Sequence, residues 1–70
     1  MNKEYLQKFA KHLKKLRKEK GLTQDDFDCE EISRSMISLV EIAKTDITLS
    51  KIKTIADKLG VQPKDLLDFE

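Results

Sequence analysis

The sequence has little of what builds disulfide frameworks, metal clusters or nucleophilic sites. Cys29 is the only cysteine and His12 is the only histidine. An intrachain disulfide and a four-cysteine metal site are therefore excluded. A zinc cluster or a Cys–His nucleophile would have to be built on these two residues, which lie far apart in the chain. No nucleophile and base, and no pair of carboxylates, stands out at catalytic spacing, so we expect no metal, no cofactor and no enzymatic activity.

Long apolar runs are also missing. No stretch approaches the ~20 apolar residues that a transmembrane helix needs. The N-terminal segment is charged throughout, unlike the apolar core of a signal peptide. We therefore expect a cytoplasmic protein without membrane contact. The 70 residues form a single domain, 1–70, and a domain this short buries only about 60 % of its unfolded surface, so pairing with a second copy would stabilise it.

Charge is distributed unevenly along the chain, although the net charge is only +1. Residues 1–20 carry eight basic and two acidic side chains, a net charge of +6. Residues 21–46 carry two basic and seven acidic side chains, a net charge of −5. The basic segment suits a polyanionic partner, whereas the acidic segment weighs against one.

Apolar residues recur at three- and four-residue spacing, which predicts amphipathic helices and no strands. We predict five α-helices with short connections, over residues 4–19, 24–30, 34–43, 49–59 and 63–69. Gly21 and Gly60 suit the left-handed position that ends a helix, after the first and fourth of these. Thr23, Ser33 and Thr48 are N-cap residues for the second, third and fourth. The expected fold is an all-α, compact five-helix bundle.

The second and third predicted helices are separated only by a sharp corner containing Glu31 and Ile32. Two short helices joined in this way are typical of a helix-turn-helix. In that arrangement the later helix enters the major groove of DNA and the earlier one braces it. The sequence therefore predicts a DNA-binding unit in the middle of the chain.

Three motifs resemble the Cro and phage-repressor helix-turn-helix domain, the lambda-repressor-like family of small transcriptional regulators. They are Leu16-Arg17-x-x-x-Gly21-Leu22-Thr23-Gln24, then Ser33-Arg34-Ser35-x-Ile37-Ser38 with Glu41 three residues later, and Leu49-x-x-Ile52-x-x-Ile55-Ala56-x-x-Leu59-Gly60-Val61. The resemblance covers about residues 9–68, in the family's order and spacing. It implies sequence-specific binding of double-stranded DNA by a repressor-like regulator of transcription.

The resemblance also implies a set of DNA contacts: Gln24, Ser33, Arg34, Ser35, Met36, Ser38, Leu39, Lys44 and Lys51. Gln24 would contact a phosphate and brace the recognition helix. Arg34 would read a guanine, because its guanidinium fits the O6/N7 edge of that base; the alternative for Arg34 is a surface ion pair with Glu30 or Glu31.

Other family positions have further implied roles. Met36 and Leu39 would touch a thymine methyl group. Lys44, Lys51 and the amide end of the fourth helix would lie against the phosphate backbone. Arg17 and Glu41 occupy the positions at which this family forms a buried ion pair between its first and third helices.

The chain departs from the family pattern at three points. The segment between Gln24 and Ser33 is one residue shorter. Asp28 replaces a small alanine, and no glycine occupies the turn. Leu39 and Ile42 stand where the family often has polar, DNA-contacting residues.

Two functional hypotheses follow. One recognition helix reads only about four or five base pairs, so we expect a homodimer on a palindromic operator. Its interface would include Ile47, Leu66 and Phe69, apolar residues that a small protomer would leave partly uncovered.

The alternative is a protein-interaction module on a degenerate helix-turn-helix, for example an antitoxin-like one with a protein partner. The acidic second helix and the apolar Leu39 and Ile42 favour this alternative.

Overall fold

A computed structural model describes residues 2–69 and shows an all-helical chain. The elements are α1 (Lys3–Glu19), a 3₁₀ helix (Gln24–Phe27), α2 (Arg34–Glu41), α3 (Leu49–Leu59) and α4 (Pro63–Leu66). No strand occurs within residues 2–69, in agreement with the predicted class. No helix in this described part of the chain combines the length and apolar character needed to cross a membrane.

The prediction of five α-helices is wrong in its second element, which is a single turn of 3₁₀ helix. This turn ends at Phe27, because Asp28 has extended backbone angles (φ −67°, ψ 117°). Phe27 and Ile32 are both about 1 % exposed and pack in the same core. The chain therefore has to reverse between them, and the Cys29 N–H donates to the Ile32 carbonyl at 2.7 Å to close the corner.

Helices α2, α3 and α4 begin at the predicted residues, and α1 begins one residue earlier than predicted, at Lys3, after Asn2 as its N-cap. The larger differences are at the helix ends. The Ser33 hydroxyl accepts the Met36 N–H at 3.1 Å, which caps α2 at its start. α2 ends at Glu41 rather than at residue 43 because Ala43 adopts a left-handed conformation (φ 57°). α4 ends at Leu66, so that Phe69 lies outside it. α3 covers 49–59 as predicted, and Gly60 ends it with φ 72°.

The core takes side chains from every element. Its main cluster consists of Phe9, Leu13, Phe27, Ile32, Ile37, Val40, Ile52, Ile55, Ala56, Leu59 and Leu66. A second cluster of Leu6, Ala10 and Ala43 joins α1 to the segment that follows α2. Each fully buried Leu, Ile or Phe contributes about 1.5–3 kcal/mol relative to an exposed one. This packing fixes α2 by its apolar side and leaves its polar side facing outward.

Candidate nucleic-acid interface

The exposed side of α2 is polar apart from Leu39, because its two apolar core residues lie on the opposite side. Ile37 and Val40 are 0 % and 2 % exposed, and their three-residue spacing places them on one face of the helix. Arg34 and Ser35 are exposed and Ser38 is half-buried. One face of α2 thus fastens the helix to the core, while the opposite face presents the guanidinium of Arg34 and the hydroxyl groups of Ser35 and Ser38.

The 3₁₀ helix and α2 together form an open depression, which we call the α2 depression. Five of the predicted contact residues line it: Gln24, Arg34, Ser35, Ser38 and Leu39. The other four are not part of this lining. Ser33 caps α2, Met36 packs partly against the core, Lys44 is exposed and Lys51 is half-buried.

A buried ion pair holds α2 against α1. The Arg17 Nε atom donates to Glu41 Oε2 at 2.6 Å, and Nη2 donates to Oε1 at 3.0 Å. The two side chains are only 11 % and 2 % exposed. The hydrogen bond to Glu41 raises the pKa of Arg17 above its ordinary value, against the opposing effect of burial, so the guanidinium stays charged.

Glu41 also fixes the 3₁₀ helix. Gln24 Nε2 donates to Glu41 Oε1 at 3.2 Å, and Arg17 Nη1 donates to the Leu22 carbonyl at 2.9 Å. One carboxylate therefore ties together α1, the 3₁₀ helix and α2. This network holds Gln24 beside the first turn of α2, where it lines the α2 depression together with Arg34 and Ser35.

Arg34 has an acidic neighbour that the sequence did not identify. Its Nε atom lies 3.5 Å from Asp25 Oδ1, and both side chains are about two-thirds exposed (63 % and 67 %). The acidic partner considered from the sequence was Glu30 or Glu31, but the carboxylate of Glu31 accepts a hydrogen bond from the Thr54 hydroxyl instead. Asp25 and Arg34 are nine residues apart in different elements, so no periodicity could have paired them.

One predicted dimer-interface residue is not on the surface. Leu66 is 0 % exposed and belongs to the core, where α4 packs on α1 and α3. Its assignment to an interface was therefore wrong. Phe69 is half-buried, with its ring 5.2 Å from that of Tyr5, and Ile47 packs partly against the core. The apolar side chain that α3 leaves exposed is Leu49, which is 80 % exposed.

Known helix-turn-helix proteins share this chain's sequence pattern and fold. A sequence profile described as helix-turn-helix matches residues 13–66. Control protein C.BamHI from Bacillus amyloliquefaciens is 46 % identical over 43 residues, which are 61 % of this chain and 52 % of that protein. The match thus spans about half the length of this curated relative. The crystal structure of the restriction-modification controller protein C.AhdI from Aeromonas hydrophila superposes with a TM-score of 0.81 at 32 % identity, covering 87 % of this chain and 94 % of that chain.

Proposed function

The chain belongs to the helix-turn-helix family of DNA-binding transcriptional regulators, and we propose that it binds a palindromic DNA operator as a homodimer through α2. The two relatives are named as a control protein and as a restriction-modification controller protein. We therefore also propose that this chain controls the expression of a restriction-modification system.

The α2 depression carries this proposal. An α-helix with its side chains is about 10–12 Å in diameter, so α2 (Arg34–Glu41) fits the major groove, which is about 12 Å wide. The exposed guanidinium of Arg34 is suited to the O6 and N7 acceptors of guanine. The serine hydroxyls beside it can donate to or accept from base edges.

Phosphate contacts would place α2 in the groove. Gln24 has one amide N–H bound to Glu41, and the second N–H of that group is left to donate to a phosphate. Lys44 and Lys51 would add charge contacts, and the first amides of α3 near Thr48 and Ser50 would add dipolar ones. Such contacts fix the register of the protein on DNA without reading its sequence.

A homodimer would supply the specificity that one helix lacks. Ile47 and Leu49 lie in the loop before α3 and at its first position, and Leu49 is a large apolar residue that is 80 % exposed. A two-fold interface there would cover Leu49 with its own copy. The two recognition helices would then lie about 34 Å apart, one turn of B-DNA.

The test compares Arg34→Ala with Lys58→Ala, which removes the same charge from the last turn of α3. Binding is measured on a DNA site selected by the wild-type protein and on a scrambled duplex of equal length. Loss of a bidentate guanine contact should cost about 1–3 kcal/mol, mainly on the selected site. Lys58→Ala should leave the preference unchanged. Equal losses by Arg34→Ala on both duplexes would make Arg34 a phosphate contact.

One observation favours the second hypothesis, a protein-interaction module. Leu39 and Ile42 are 45 % and 58 % exposed and lie three residues apart at the end of α2. Salt dependence separates the two functions. Phosphate binding weakens steeply as salt is raised, because each neutralised phosphate releases condensed counterions. Binding of a protein partner to an apolar surface does not.

A further inference from the structure

We propose that Asp25 is a specificity-determining residue, which positions the guanidinium of Arg34 for guanine and repels the phosphates that would otherwise bind it. The inference rests on the proposed function. Its starting observation is the 3.5 Å separation between Asp25 Oδ1 and Arg34 Nε, at the α2 depression. An acidic side chain on a DNA-facing surface repels the phosphates, and Asp25 would exert this repulsion directly beside the base-reading residue.

The geometry indicates how Asp25 orients Arg34. A guanidinium has five N–H donors, one on Nε and four on the two Nη atoms. It can meet a guanine side-on, through Nε and one Nη, or end-on, through both Nη atoms. Because the Asp25 carboxylate lies 3.5 Å from Nε, it competes with a base for the side-on approach, whereas the end-on approach through the two Nη atoms remains open.

The charge of Asp25 also discriminates between phosphates and bases. A phosphate bound by the Nη atoms of Arg34 would lie within roughly one Debye length (~8 Å) of this carboxylate, so salt would screen their repulsion only in part. A phosphate that binds Arg34 brings a full negative charge against this carboxylate. A guanine edge brings two neutral acceptors, and its repulsion by the carboxylate is weaker. Asp25 therefore penalises non-specific contacts more than the specific one.

The neighbouring acids do not have this geometry. The Asp26 carboxylate accepts the Thr23 N–H at 2.6 Å, and Glu31 is bound by Thr54. Asp28 is exposed and forms no ion pair among the described residues. Because Asp28 carries the same charge only three residues away, it is a matched control for Asp25.

The experiment measures affinities for a wild-type-selected site and for a scrambled duplex, at one ionic strength, with wild type, Asp25→Asn and Asp28→Asn. Asp28→Asn should tighten binding to both duplexes alike, leaving their ratio unchanged within a factor of about two. Asp25→Asn should tighten binding to the scrambled duplex more and lower the ratio about tenfold, which is ~1.4 kcal/mol. In an Arg34→Ala background, Asp25→Asn should no longer change the ratio.

The outcomes distinguish failure of the proposed role of Asp25 from failure of the proposed DNA-binding function. If wild type prefers the selected site and the two Asn variants have the same ratio, the role of Asp25 is refuted while the proposed function stands. The same holds if the effect of Asp25→Asn persists without Arg34. If wild type shows no preference for any sequence, the proposed function fails and this inference fails with it.

Discussion

Replacing Arg17 by alanine should be among the most destabilising single changes in this protein. Arg17 and Glu41 are 11 % and 2 % exposed, and the substitution leaves the carboxylate of Glu41 buried with Gln24 as its remaining side-chain donor. Stranding one charge of a buried pair costs about 3–5 kcal/mol. A 70-residue domain has a total stability of roughly 3.5–10 kcal/mol at ~0.05–0.15 kcal/mol per residue. The variant should therefore be partly unfolded at room temperature or close to it.

Thermal and urea denaturation measure how much Arg17→Ala lowers the free energy of unfolding. A loss of 3 kcal/mol lowers the melting temperature by at least about 12 °C in a domain of this size. The control is Lys53→Ala, which breaks the ion pair with Asp57, whose two side chains are 63 % and 61 % exposed. That variant should change the free energy of unfolding by less than about 1 kcal/mol. Similar losses of stability in the two variants would contradict the claim that burial makes the Arg17–Glu41 pair more stabilising than an exposed pair.

A double substitution keeps the test informative if Arg17→Ala does not fold. Arg17→Met with Glu41→Leu replaces both charges by apolar groups of similar volume, a change that is often neutral in buried pairs. It should recover most of the stability lost by Arg17→Ala.

Because the hydrogen bond to Glu41 raises the pKa of Arg17, the contribution of its charge to stability is complete below the unfolded-state pKa and is lost only as pH rises through the folded-state pKa. The stability difference between wild type and Arg17→Ala should thus show no loss from Arg17 titration around neutral pH.

Two further predictions concern the ends of α3. Gly60→Ala should lower the free energy of unfolding by about 1 kcal/mol in urea denaturation, because Gly60 has φ 72° and a Cβ there would meet no atom within 4 Å. The cost is then purely one of backbone conformation, and an unchanged stability would contradict it. If the protein is the proposed homodimer, Leu49→Glu should convert it to a monomer in sedimentation experiments without destabilising the protomer, since Leu49 is 80 % exposed. A dimer that survives the substitution would place the interface elsewhere.

The sequence predicted the long helices well because several turns repeat the same apolar spacing. α1 and α3 have 17 and 11 residues, and the predicted glycines with positive φ, Gly21 and Gly60, mark where they end. The 3₁₀ helix has four residues, too few for periodicity to distinguish it from an α-helix. What decides its form is the burial of Phe27 and Ile32 on either side of one corner, which is a tertiary effect. α4 is equally short, so its sequence pattern did not show which of its side chains face the core. Leu66, predicted at an interface, is buried in the structure.

The candidate site was predictable where it follows the family pattern. Arg17, Glu41 and Gln24 were identified by that resemblance, and the structure joins them in one hydrogen-bonded network. The proximity of Asp25 to Arg34 was not predictable, because it depends on the angle between the 3₁₀ helix and α2. That angle depends on tertiary contacts such as the buried network of Arg17, Glu41 and Gln24, which a local sequence pattern does not reveal.

Selection of bound sequences from a random pool of duplex DNA tests the central claim most directly. If α2 reads the major groove in a homodimer, the purified protein should enrich two half-sites related by two-fold symmetry, with centres about 10 base pairs apart. Each half-site should contain a guanine whose enrichment disappears when the selection is repeated with Arg34→Ala. A pool that stays random, or a motif that Arg34→Ala leaves unaltered, would contradict DNA reading by α2.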